Sequence, residues 1–156
     1  LTGYVATFGT PAAIGGFIER IAPGAFAATL ASGRDVLALS DHDPKAVLGR
    51  TKSGSLTLRE DAKGLHFTLQ LPDTRAGNDL VALAQRNDLG GMSFGFVATD
   101  EAWEGDTREL RAVELHEVSI VQSWPAYQST EVNLRSKPFD MAHFIHCNSH
   151  WLETCR

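Results

Sequence analysis

The sequence predicts a β-rich α+β domain, and three observations support that class. Fourteen glycines and six prolines among 156 residues indicate many turns. Short segments of alternating apolar and polar residues recur along the chain, as in half-buried strands. Only two segments carry helical spacing of apolar residues. With 43% hydrophobic and 21% charged residues, the composition is that of one globular domain.

The first third of the chain predicts short strands around one helix. The predicted elements, in order, are a strand over 3–8, a short strand over 18–21, a helix over 25–32, a buried strand over 35–39 and extended structure over 47–49. Phe26 and Leu30 are four residues apart and share one face of that helix. A polar loop at 40–44 separates the last two strands.

The middle of the chain predicts a hairpin, a helix and two long strands. The hairpin joins 55–59 to 65–71 through a turn at 61–64, and both arms alternate in polarity. The helix spans 73–87, with Asp73 or Thr74 as its N-cap. The strands cover 92–99 and 107–122, with a turn at 103–106. The regular pattern ends near residue 134, which predicts a domain over 1–134 and a C-terminal tail over 135–156.

Charge and cysteine content exclude several function classes. Fourteen Lys and Arg against nineteen Asp and Glu give a net charge of −5, which argues against nucleic-acid binding. No apolar run is long enough to cross a membrane. Cys147 and Cys155 both lie in the last ten residues, so the core has no disulfide framework and a reducing compartment is expected. No motif indicates a cofactor.

Three segments contain residue types that carry hydrolytic chemistry. His42 is flanked by two aspartates, Ser93 lies among three glycines in 90–95, and Glu117 follows His116 in a strand-like run. Strand alternation would place Glu117 and Ser119 on one face and His116 on the other. Taken singly, each fits a plainer role: a solvated loop histidine, a serine on a solvent face, an outward charged rim. Together they supply a base, a nucleophile and an orienting group, the parts of a serine hydrolase.

Eight segments, in the same order, resemble the tailed-phage (caudovirus) prohead serine protease family. The matching segments are residues 3–8, 21–26, 41–43 with 48–49, 64–65, 71–74 with Gly77, 91–96, 115–121 and 124–127. The resemblance implies a small, mostly antiparallel β-barrel with a few surrounding helices, similar to the herpesvirus maturation proteases. It also implies an endopeptidase that cuts scaffold or capsid-protein segments, and itself, during prohead maturation.

The resemblance assigns roles to individual residues. It places the base at His42, the nucleophile at Ser93 and the third member at Glu117, with nearby backbone N–H groups as oxyanion donors, for which Phe94 or Gly95 is the candidate. His116 is the alternative third member, since the herpesvirus relatives use a second histidine. The implied partner is capsid or scaffold protein as substrate, with a homo-oligomer possible. The implied location is inside the prohead in the bacterial host cytoplasm, with the gene on a phage or a prophage.

Two other readings stay open. The same fold with a degenerate site would serve as an inactive scaffold or assembly module of the prohead. The tail offers a set of soft metal ligands at His143, His146 and His150, with Cys147 and Cys155 beside them. Their spacing matches no established zinc signature, so no metal site is predicted.

Overall fold

The structure is a computed structural model, and it describes residues 1–123, 125 and 129–134. The elements in chain order are β1 (Thr2–Thr7), β2 (Ala12–Ile14), β3 (Phe17–Ile21), α1 (Ala27–Ala31), β4 (Leu37–Ser40), β5 (Asp43–Arg50), β6 (Leu56–Glu60), β7 (Gly64–Leu69), α2 (Arg75–Gln85), β8 (Gly91–Glu104), β9 (Thr107–Val121) and β10 (Glu131–Asn133). The predicted β-rich class is confirmed.

The strands form two sheets. One has the order β10-β1-β7-β6, and the other has β2-β3-β9-β4-β5 with β8 also paired to β9. All pairs are antiparallel except β3 with β9 and β4 with β9. The long β9 pairs with β8 along one of its edges. On its other edge, the first part of β9 pairs with β3 and the last part pairs with β4. β9 is therefore the strand around which the second sheet is organised.

The core lies between the two sheets and under α1. Phe26 and Phe67 are fully buried, and the Phe26 ring packs 5.8 Å from Phe94 and 6.5 Å from Phe8. These contacts join α1's start to β8 and to the end of β1. Burial of such a side chain contributes about 1.5–3 kcal/mol, so the aromatic cluster is a main source of stability.

One buried hydroxyl fixes α1 on β9. Thr29 Oγ1 donates to the Val113 carbonyl at 2.7 Å and accepts from the Leu115 N–H at 3.1 Å. The loop before α1 is held separately, because the Glu60 carboxylate accepts the backbone N–H groups of Gly24 and Phe26. The helix is thus tied to both sheets, although it is only five residues long.

Two sequence predictions need adjustment. The N-cap of α2 is Thr74, whose Oγ1 accepts the Gly77 N–H at 3.3 Å. The strand predicted over 92–99 continues to Glu104. Its added part is exposed and charged, so alternation does not reveal it, and it is held by pairing with β9 rather than by burial.

Some predictions fall beyond what the structure can address. The histidines and cysteines of the tail, and residues 124 and 126–127 of the family-like segment, lie outside the described residues. Within the described ranges, the His, Cys, Asp and Glu side chains form no cluster suited to a metal ion. No helix there is both long and apolar enough to cross a membrane.

Candidate active site

His42 occupies a strained two-residue turn between β4 and β5. Ser40 pairs with Asp43, and the two residues between them have φ of 49° for Asp41 and 59° for His42. Hairpin turns with two left-handed residues strongly favour Asn, Asp or Gly. A side chain in this region costs about 1–2 kcal/mol per residue relative to ordinary backbone. Such strain at a histidine is typical of a functional position.

Asp41 fastens this turn to the end of β9. Its backbone N–H donates to the Ile120 carbonyl at 3.0 Å. Its carboxylate accepts the Gln122 backbone N–H at 2.9 Å and the Gln122 Nε2 group at 2.8 Å. These bonds hold the strained turn in place and so fix the position of the His42 backbone.

The His42 ring is hydrogen-bonded to Glu117. The distance between His42 Nδ1 and Glu117 Oε1 is 2.8 Å. Because an ionised carboxylate only accepts, Nδ1 carries the proton in this bond and Nε2 of the neutral ring holds the free lone pair. The Glu117 side chain is 15% exposed and the His42 side chain 46% exposed, so the carboxylate lies inside and the ring lies at the surface.

His116 faces a different environment. Its Nδ1 lies 2.9 Å from Arg34 Nη2, and its Nε2 lies 3.5 Å from Glu114 Oε1. In the register of β8 and β9, Gly95 pairs with Glu117 and the next residue pairs with Leu115, so His116 is the extra residue of a β-bulge. A bulge re-aims neighbouring side chains and is common beside active sites. The two candidates for the third position therefore make entirely separate contacts.

Ser93 lies on the face of the sheet that carries Glu117. It pairs with Ser119 across β8 and β9, and two residues further along Gly95 pairs with Glu117. Side chains directly opposite in an antiparallel pair share a face. Ser119 Oγ in turn accepts the His42 backbone N–H at 3.2 Å. The structure thus brings Ser93, His42 and Glu117 together around Ser119.

The nucleophile candidate is not yet engaged with the base. Among the residues that the structure describes, no hydrogen bond joins Ser93 Oγ to the His42 ring. A loose contact between nucleophile and base is common before substrate binds. The free Nε2 of His42 is the atom that would take the serine proton.

The glycines around Ser93 lie so close to neighbouring protein atoms that a side chain at these positions would collide with them. A Cβ on Gly95 would lie 2.6 Å from Glu117 Oε1. A Cβ on Gly90 would lie 1.4 Å from the Ser123 carbonyl oxygen, and one on Gly91, which has φ of 151°, would lie 2.5 Å from Thr130 Oγ1. The glycine-rich motif is therefore explained by close packing against β9 and the segment after it.

Three cavities of about 350–430 Å³ are lined by residues outside this cluster. One of about 350 Å³ opens between α1 and β6 and is lined by Leu30, Arg34, Val36 and Leu58, among others. None of His42, Ser93 and Glu117 lines it.

Sequence reasoning missed two residues that support the proposed site residues His42 and Glu117. Asp41 was noticed only as a charged neighbour of His42, and its bonds to Gln122 join residues 81 apart in the chain. Ser119 was placed on the Glu117 face without a role. Alternation carries that signal, because a polar residue on a buried strand face must find a polar partner.

Comparison with known proteins gives one match. The family model described as Caudovirus prohead serine protease, Peptidase S78, matches residues 1–144. No curated protein and no solved structure shows significant similarity to the chain. The match covers most of the 156 residues and includes the turn of His42, the strand of Ser93 and the strand of Glu117. The chain belongs to the caudovirus prohead serine protease family, whose members are phage hydrolases of capsid maturation.

Proposed function

We propose that this protein is a serine endopeptidase that cleaves scaffold or capsid-protein segments, and itself, during prohead maturation. Ser93 is the nucleophile, His42 the general base and Glu117 the group that orients the histidine. The observation that carries the proposal is the 2.8 Å bond between His42 Nδ1 and Glu117 Oε1, on the sheet face that also holds Ser93. Family membership supports the reaction class.

The geometry supports an acyl-enzyme mechanism. His42 Nε2 accepts the Ser93 Oγ proton while Oγ bonds to the scissile carbonyl carbon, and the Glu117 carboxylate stabilises the imidazolium that forms. The imidazolium then gives its proton to the leaving amine as the C–N bond breaks. Water, deprotonated by the same Nε2, hydrolyses the ester and restores Ser93.

We assign the oxyanion donor to the backbone N–H group of Phe94 or of Gly95, because these residues directly follow the nucleophile. A structure of the enzyme with Ser93 esterified by diisopropyl phosphate checks the assignment: a phosphoryl oxygen about 2.7–3.1 Å from either nitrogen supports it, and a contact to other donors rules it out.

We also propose that the two sheets close into a small barrel of the herpesvirus maturation protease type. Support comes from two seams between the sheets, since β8 lies beside β1 and β10, and β5 lies beside β6. A crystal structure with an open gap between β5 and β6 would refute closure.

The proposed location is inside the prohead in the bacterial host cytoplasm, with capsid or scaffold protein as the partner.

The test is covalent labelling of the whole protein with diisopropyl fluorophosphate. Ser93 Oγ attacks phosphorus, the P–O bond forms, fluoride leaves, and His42 takes the serine proton. We expect one adduct, mapped by peptide mass spectrometry to Ser93. Ser93→Ala abolishes labelling and also stops cleavage of the phage scaffold protein, a loss on the order of 10⁶-fold as in other triad enzymes.

Ser53→Ala is the matched control. Ser53 lies in an exposed turn, where its hydroxyl bonds the Arg50 carbonyl and neighbouring Ser55 groups. This variant should label and cleave like the wild type. If the wild type carries no adduct and leaves the scaffold protein intact, the inactive assembly-module reading replaces the protease.

A further inference from the structure

Ser119 contacts two members of the proposed triad at once, and we infer that it is a positioning residue for the reaction. The inference rests on the proposed function. Ser119 Oγ donates to Glu117 Oε2 at 2.6 Å and accepts the His42 backbone N–H at 3.2 Å. A hydroxyl has one proton and two lone pairs, so it makes both bonds together.

The two oxygens of Glu117 thereby have separate partners. Oε1 meets the His42 ring and Oε2 meets Ser119. Gly95 closes the carboxylate in from the neighbouring strand, where a Cβ would come within 2.6 Å of Oε1. With Ser119 in place the carboxylate cannot rotate without losing a charge-assisted hydrogen bond. Ser119 therefore sets the direction from which Glu117 reaches the ring.

The same hydroxyl holds the backbone of the base. His42 has φ of 59°, a conformation that side-chain-bearing residues adopt only when their surroundings enforce it. Its N–H has Ser119 Oγ as acceptor, while the preceding Asp41 is fastened to Ile120 and Gln122. The Ser119 contact is the only one of these that reaches His42 itself.

Burial makes Ser119 unable to act as a nucleophile and well suited to positioning. It is 0% exposed, between Ser93 on β8 and Leu39 on β4 in the register of the sheet. No substrate can reach its oxygen. A buried hydroxyl surrounded by fixed strands holds its partners more rigidly than a solvated one.

The experiment compares labelling rates with diisopropyl fluorophosphate for Ser119→Ala, Ser119→Cys and Thr29→Val. Thr29 is the matched control: its buried hydroxyl also donates and accepts across β9, but its partners are Val113 and Leu115. We expect both Ser119 variants to label Ser93 about 10–100-fold more slowly, by analogy with the loss seen when hydrogen-bond partners that orient metal ligands are removed. Thr29→Val should label at the wild-type rate. Ser119→Cys keeps the size of the side chain, so it provides the test if the alanine variant does not fold.

A spectroscopic readout separates positioning from general stability. The proton shared by His42 Nδ1 and Glu117 gives a low-field NMR signal, which should shift or vanish in the Ser119 variants and persist in Thr29→Val and Ser93→Ala. Wild-type labelling rates in a folded Ser119→Cys variant would overturn the inference. So would equal slowing in Thr29→Val, which would indicate loss of stability alone. Absence of labelling in the wild type would instead refute the proposed function.

Discussion

Glu117 and His116 are adjacent in the chain and both can partner a histidine, yet their surroundings differ completely. Glu117 is mostly buried and bonds the His42 ring, whereas His116 lies against Arg34 at the surface. His116 is also the extra residue of a β-bulge, which no periodicity in the sequence reveals. Strand alternation predicts that Glu117 and His116 lie on opposite faces, so at most one of them can orient the His42 ring. In the structure, Glu117 contacts that ring and His116 contacts Arg34.

Substitution of Glu117 is the residue-scale prediction. Glu117→Gln should lower the rate of Ser93 phosphorylation by the reagent about 10⁴-fold, because an amide does not enforce the Nδ1-protonated ring or stabilise imidazolium. The readout is the second-order rate constant with diisopropyl fluorophosphate. His116→Gln is the control and should keep the wild-type rate. The reverse pattern, with His116→Gln slow and Glu117→Gln normal, would give the third role to His116.

At the scale of elements, the sequence pattern predicts those elements whose pairing partners are close in the chain. The hairpin of β6 and β7 is visible in the sequence because both arms alternate and a turn joins them. The outer part of β8 and the parallel pairing of β4 with β9 are not visible. Both depend on partners far along the chain, and neither leaves a mark on the periodicity of the segment itself. The contact between His42 and Glu117 joins residues 75 apart in the chain, so the local pattern does not predict it either.

The cap of α2 provides the element-scale prediction. Thr74→Ala should lower the free energy of unfolding by about 1 kcal/mol, because the Gly77 N–H loses its acceptor. Asp73→Ala should cost less, since Asp73 Oδ1 accepts only from the Asn78 side chain. Urea unfolding measures both. Labelling of Ser93 should stay normal in both variants, as α2 contributes no residue to the site; an equal loss of stability in the two would contradict Thr74 as the cap.

At the scale of the whole molecule, the first sheet carries a polar network that links three of its elements. Asp61, in the turn after β6, accepts from Tyr4 of β1 at 2.9 Å. Lys63, two residues on, pairs with Glu131 of β10 at 2.6 Å and lies over the Tyr4 ring. The backbone N–H of Lys63, the Tyr4 hydroxyl and the Gly64 N–H hold the pKa of Asp61 below its ordinary value of 3.8.

This lowered pKa predicts how stability depends on pH. A carboxyl whose pKa is lower in the folded state stabilises the protein above its unfolded pKa, and that contribution is lost as pH falls through the folded pKa. Asp61→Asn should therefore be less stable than the wild type at about pH 6, and the difference should shrink at about pH 3. Urea unfolding at both pH values tests this. A difference that stays constant with pH would show that the charge of Asp61 is not involved.

The dependence of the site on β9 has a consequence for the timing of synthesis. His42 is made well before Glu117, and at about 5–20 residues per second the 75 residues between them take about 4–15 s. Until β9 emerges, the strained turn has neither Ser119 nor Gln122 to hold it, and the histidine has no carboxylate partner. On the proposed function, a nascent chain without β9 lacks the residues needed to cut its neighbours on the ribosome. The order of the strands therefore delays completion of the proposed site until β9 has been made.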